Sequence, residues 1–173
     1  KEARQLDPQT RPCTFVNIMF SKPETDECTD LVDIIALNRY YGWYVNTGDL
    51  ATAAKNEEDE LLRWQGKLRD KPIMFTEFGA DTIAGMHSAY NEPFSEEYQV
   101  NYYKMNAQVF DKVDHFVGEQ LWNFADFQTK VGIQRVQGNK KGIFTRAREP
   151  KSAASWLSQR WNKISNFNYK TKR

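Results

Sequence analysis

The run Ile73-Met74-Phe75-Thr76 leads an apolar stretch straight into a carboxylate, Glu77, and Gly79 breaks it two residues later. A glutamate at the end of a buried strand has two ordinary uses. It balances a neighbouring arginine, or it reacts, and as nucleophile or general acid/base it needs a second titratable group close by. Other residues suited to chemistry stand at similar breaks. Asn38, Arg39 and Tyr40 follow the run VDIIALN, and Trp122 and Asn123 close the run FVGEQLWNF. A glycine-flanked basic loop, Gly138-Asn139-Lys140-Lys141-Gly142, lies further on. Two carboxylates offer themselves as partners for Glu77: Glu92, within Asn91-Glu92-Pro93, and Glu119.

The elements that must hold these residues alternate in type. CTFVNIMF (13 to 20), VDIIALN (32 to 38), PIMFTEFG (72 to 79) and FVGEQLWNF (116 to 124) are apolar throughout and predict strands, with a short loop-like first connection. After Asp49, residues Ala53, Ala54, Leu61, Leu62, Trp64 and Leu68 recur at helical spacing, with Glu57, Glu58, Asp59 and Glu60 assigned to the wet side. Ser95 is a good N-cap, and Tyr98, Tyr102, Met105, Val109 and Val113 form the buried stripe of a second helix. Pro150 opens a last helix, with Ala153, Ala154, Trp156, Leu157 and Trp161 expected to pack inward.

Apolar strands separated by helices predict an α/β fold with a parallel sheet. Four such units make about half of a (β/α)8 TIM barrel, which needs roughly 250 residues. A doubly wound sheet shares the alternation, but no glycine-rich phosphate loop follows any strand. Barrel enzymes place their chemistry at the C-terminal strand ends, where Asn38, Glu77 and Trp122 fall.

Composition narrows the function by exclusion. The 173 residues are 40% hydrophobic and 27% charged with a net charge of +1, which predicts neither a nucleic acid nor a membrane surface as partner. Cys13 and Cys28 have no CxxC partner, and with His87 and His115 the only histidines, no metal or cofactor site is expected. No run has the length of a membrane span or the layout of a signal peptide. The opening KEARQLDPQTRP lacks an initiator methionine and reads as the end of a helix stopped at Asp7-Pro8, so the chain is expected to be a piece of a longer one.

Four long stretches, NRYYGWYVNTGDL, TEFGADTIAGMHS, GEQLWNFADFQT and GNKKGIFTRAREPKSAA, occur in an order that resembles the C-terminal part of β-glucuronidases of glycoside hydrolase family 2. The resemblance covers essentially the whole chain. It implies that residues 1–173 are the C-terminal half of the catalytic barrel and that the parent is a homo-oligomer, a tetramer, acting on β-D-glucuronides without a cofactor. It makes Glu77 the nucleophile with Tyr40 beside it, and Asn38, Tyr44 and Trp122 residues that line the site. It gives Asn139 and Lys141, with Arg135 nearby, to the sugar's carboxylate.

A retaining glycosidase needs a second, protonated carboxyl about 5 to 5.5 Å from its nucleophile. Asn-Glu-Pro is the acid/base signature of this clan, but there it follows a barrel strand, whereas Glu92 follows the nucleophile and sits in a loop. Glu92 is read as a solvated loop residue, and Glu119, alternating away from Trp122, as a structural carboxylate. The acid/base is therefore expected upstream of Lys1. Each remaining residue has a plainer use: Tyr40 and Trp122 as rim packing, Lys140 and Lys141 as a solvated turn. A related galacturonidase, a neutral-sugar family 2 glycosidase, and a non-catalytic carbohydrate-binding half-barrel stay open beside the glucuronidase reading.

Overall fold

The structure is a computed structural model that describes residues 2–165. A short helix α1 (Glu2–Leu6) precedes β1 (Val16–Asn17), β2 (Ile35–Asn38), α2 (Leu50–Lys67), β3 (Ile73–Glu77), α3 (Glu96–Phe110), β4 (Phe116–Glu119) and α4 (Ser152–Lys163). The strands form one parallel sheet in the order β1-β2-β3-β4. Sequential order, with a loop between β1 and β2 and the helices α2 and α3 crossing between the later strands, is the pattern of an unrolled barrel segment, as the alternation of runs predicted.

The helices begin where the sequence supplies an acceptor for their free N–H groups. Asp49 caps α2 by accepting from Thr52, and Ser95 caps α3 by accepting from Tyr98 at 3.1 Å. Behind the sheet Phe75, Phe78, Phe110 and Phe116 interlock, with Phe110 stacked on Phe116 at 4.1 Å. Trp64, Tyr102 and Leu157 complete the same buried cluster, so α2, α3 and α4 all contribute to it. Burying such rings is worth about 1.5 to 3 kcal/mol each, which fixes the strand ends that carry the polar residues.

Several expectations need correction. The first strand shrinks to Val16–Asn17, because the chain turns from Ile18 with Ser21 N–H closing on the Ile18 carbonyl. The fourth ends at Glu119, although Gln120 and Trp122 still donate to the Phe75 and Phe78 carbonyls. Pro150 lies ahead of the last helix, whose N-cap is Lys151. Leu62 and Trp161 are exposed rather than packed inward. Glu57 and Glu60, assigned to the wet side, are buried instead, since they share the α2 face of Ala53, Leu61 and Trp64. Glu60 is tolerated there because Arg39 meets it at 2.7 Å, both side chains 1% exposed, with Tyr41 donating at 2.7 Å.

Candidate active site

Strand register decides which side chains meet. Leu37 pairs with Phe75 and Asn38 with Glu77, so between these pairs β3 carries one extra residue, Thr76. Such a bulge shifts the alternation of side chains and re-aims whatever follows it. Phe75 points into the buried cluster, while Glu77 lines a cleft of about 280 Å³ together with Ile18, Met19, Phe20, Asn38, Tyr40 and Tyr44. Asn38 is fixed by Thr76, whose hydroxyl donates to its Oδ1 at 2.7 Å.

Tyr40 donates from its hydroxyl to Oε2 of Glu77 at 2.7 Å. Burial, then the hydrogen bond to the Glu77 carboxylate, push the Tyr40 phenol far above its ordinary value, so it remains a donor at any working pH. The Tyr44 ring lies 4.9 Å from that of Tyr40 and closes the same side of the cleft. Beyond Glu77 the chain needs a glycine, because a Cβ on Gly79 would lie 2.0 Å from the Trp122 carbonyl oxygen.

Behind Tyr44 two cations converge. Its hydroxyl oxygen accepts from Arg135 Nη2 at 2.7 Å and from Lys141 Nζ at 3.0 Å, which leaves the phenolic proton free to donate. Lys141 is 0% exposed, its ammonium 4.7, 5.1 and 5.9 Å from the ring centres of Tyr44, Trp43 and Tyr40. Its acidic partner is Asp81, in direct contact with the ammonium and 3.8 Å from Arg135. The loop that carries Lys141 is pinned from below: Lys151 donates to the Lys140 carbonyl at 2.9 Å, and to Asp126 at 2.9 Å. Gly138 begins it at φ +98°, a backbone that L side chains rarely adopt.

The sequence-predicted residues thus fall into three sets. Glu77, Asn38, Tyr40 and Tyr44 share the cleft. Arg135 and Lys141 stand behind it through Tyr44, and Asn139, 3% exposed, turns its Oδ1 onto the Lys141 backbone N–H at 3.0 Å, shaping the loop. Trp122 is not among the residues lining the cleft; its indole meets Phe127 edge-on at 5.8 Å, and its carbonyl meets Gly79. Glu92 is exposed in the turn before α3. Glu119 pairs with Phe75, two residues before Glu77, and binds Arg160 at 2.5 Å and Trp161 at 3.0 Å. Asp81 and Asp126, which anchor the basic loop, escaped the sequence reading although both lie inside its motifs, TEFGAD and WNFAD.

Residues 1–166 match glycosyl hydrolases family 2, TIM barrel domain. The chain belongs to that family. Among its family 2 relatives, a β-glucuronidase of Streptococcus agalactiae is 52% identical over 96% of this chain and 28% of that protein. The Homo sapiens β-glucuronidase is 44% identical over 94% of this chain and 25% of that protein. A structure of the Ruminococcus gnavus β-glucuronidase in complex with D-glucuronic acid superposes with a TM-score of 0.89 at 49% identity, covering 92% of this chain and 28% of that one. The Faecalibacterium prausnitzii β-glucuronidase gives 0.91 at 48% identity, over 96% and 28% of the two chains. The chain spans about a quarter of the length of these relatives. Among the described residues no helix is long and apolar enough to cross a membrane.

Proposed function

We propose that residues 1–173 are the C-terminal half of the catalytic barrel of a retaining β-glucuronidase, and that the parent assembles as a homo-oligomer like the tetramer its family resemblance implies. One observation carries the reading: Glu77, held by Tyr40 in an open cleft, is joined through Tyr44 to two cations, Arg135 and Lys141. A reactive carboxylate and a cationic corner in one network suit a sugar that bears its own carboxylate.

In this mechanism Glu77 attacks the anomeric carbon while an acid contributed from outside residues 1–173 protonates the departing glycosidic oxygen, so that the C–O bond breaks and a glycosyl ester forms. The same outside residue, now a base, takes a proton from water. The water attacks the anomeric carbon and releases Glu77, with net retention. Tyr40 orients the Glu77 carboxylate in both steps. Tyr44, accepting from two cations, presents its O–H and the Arg135 edge to the sugar carboxylate, with Asn38 toward the rest of the ring. Lys141 backs this corner, and Asn139 sets the loop that holds it.

A neutral-sugar glycosidase is the second reading, and it draws on the full burial of Lys141 against Asp81. Assay of the full-length protein on a panel of aryl β-glycosides separates the two. Preference for the glucuronide over the galacturonide and glucoside supports the proposal, and preference for the glucoside refutes it.

A further inference from the structure

Asp81 does not line the cleft, yet it holds the groups assigned above to the sugar's carboxylate. It is 2% exposed and lies four residues beyond Glu77 on the same segment. One of its oxygens accepts from the Lys140 backbone N–H at 2.8 Å. The other accepts from the Lys141 ammonium and lies 3.8 Å from Arg135 Nη1. A single carboxylate thus fixes the backbone of the basic loop, its buried cation and the second cation that reaches Tyr44.

Charge adds to geometry. Two cations crowded behind one phenol repel each other, and Lys141, fully buried, is costly to hold there without a counter-ion. Lys141 and Arg135 against Asp81 leave a net charge of about +1, which matches the single negative charge of a uronate. We infer that Asp81 is a positioning residue for uronate selectivity, holding Lys141 and Arg135 in register behind Tyr44 and lowering their combined charge to that of the one carboxylate they receive. The inference rests on the glucuronidase reading.

The test uses the full-length enzyme and two substrates, 4-nitrophenyl β-D-glucuronide and the matching glucoside. The unsubstituted enzyme is measured first; if it prefers the glucoside, the glucuronidase reading fails and the inference falls with it. If it prefers the glucuronide, Asp81→Asn should lower the glucuronide-to-glucoside ratio of kcat/KM by about tenfold or more, through a higher KM for the glucuronide. In a Lys141→Ala background the same substitution should move that ratio less than about threefold, because two residues acting through one contact are not additive. Should Asp81→Asn not fold, Asp81→Glu keeps the charge but displaces it by one methylene, and should lower the ratio by about threefold or more. An Asp81 substitution that lowers both substrates in proportion, leaves the ratio unchanged, or acts with equal force without Lys141 makes Asp81 a structural anchor and overturns the inference.

Discussion

The Tyr40 hydroxyl donates a 2.7 Å hydrogen bond to Oε2 of Glu77, tying the segment after β2 to the last residue of β3. A charge-assisted bond of this kind is worth about 1.5 to 3 kcal/mol, and in the proposed mechanism it orients the carboxylate for attack. Tyr40→Phe keeps the ring and removes only the donor. In the full-length enzyme kcat on an aryl glucuronide should fall about tenfold to a hundredfold with little change in melting temperature. Unchanged kcat would make the bond incidental to the chemistry.

Glu57 gives a pH signature independent of the reaction. It is fully buried, and neither carboxylate oxygen has a hydrogen-bond partner among the described residues. Burial, then the neighbouring Glu60 charge, push its carboxyl well above the ordinary value of 4.5. The folded state therefore keeps a proton that the unfolded chain gives up. The stability from this group is complete below the unfolded pKa and is lost as pH rises from there through the folded one, by up to about 1.4 kcal/mol per pH unit. Glu57→Gln, neutral throughout, should stabilise the protein more at pH 7 than at pH 5. Denaturant melts of the two proteins at both pH values check this, and equal shifts would contradict it.

The sheet was legible in the sequence because the strands of a parallel sheet read as unbroken apolar runs, and the wholly buried Ile35, Ala36 and Leu37 of β2 show why. The clustering of Asn38, Tyr40, Tyr44 and Glu77 was legible too, since barrel topology brings strand ends together. Buried charge was not. Glu57 and Glu60 look like solvent-facing residues in a helical pattern, and only the position of Arg39, 21 residues before Glu60 and on another element, shows otherwise. Asp81 is similar: nothing local marks an aspartate as the counter-ion of a lysine 60 positions away. Long-range ion pairing leaves no periodicity to read.

Lys141 is the sharpest probe of the choice of sugar. In the full-length enzyme Lys141→Ala strips the corner of its buried cation, leaving a desolvated substrate carboxylate short of its charge. The cost in transition-state binding of the glucuronide should be about 2 to 5 kcal/mol, whereas a glucoside has no carboxylate to leave unpaired. The ratio of kcat/KM for the two substrates should therefore fall steeply. Equal losses on both would make the loop structural.

The 173-residue chain by itself should not hydrolyse glycosides. Among the described residues its sheet has four strands where a closed barrel has eight, and Glu77 is the one carboxylate lining the cleft. With β1 and β4 as open edges it should also self-associate. Light scattering together with an aryl glucuronide assay of the purified chain tests both points. An active soluble monomer would contradict them and restore Glu92 as a candidate.

The role of Glu77 can be read directly from a covalent bond. A 2-fluoro-glucuronide with a good leaving group forms the glycosyl ester quickly and releases it slowly, so incubation with the full-length enzyme followed by peptide mass spectrometry locates the nucleophile. The label should appear on the peptide containing Thr76-Glu77-Phe78, and Glu77→Ala should abolish both labelling and turnover while leaving the fold intact. Label on a peptide carrying Glu92 or Glu119, or labelling that survives Glu77→Ala, would contradict the assignment of Glu77 as the nucleophile.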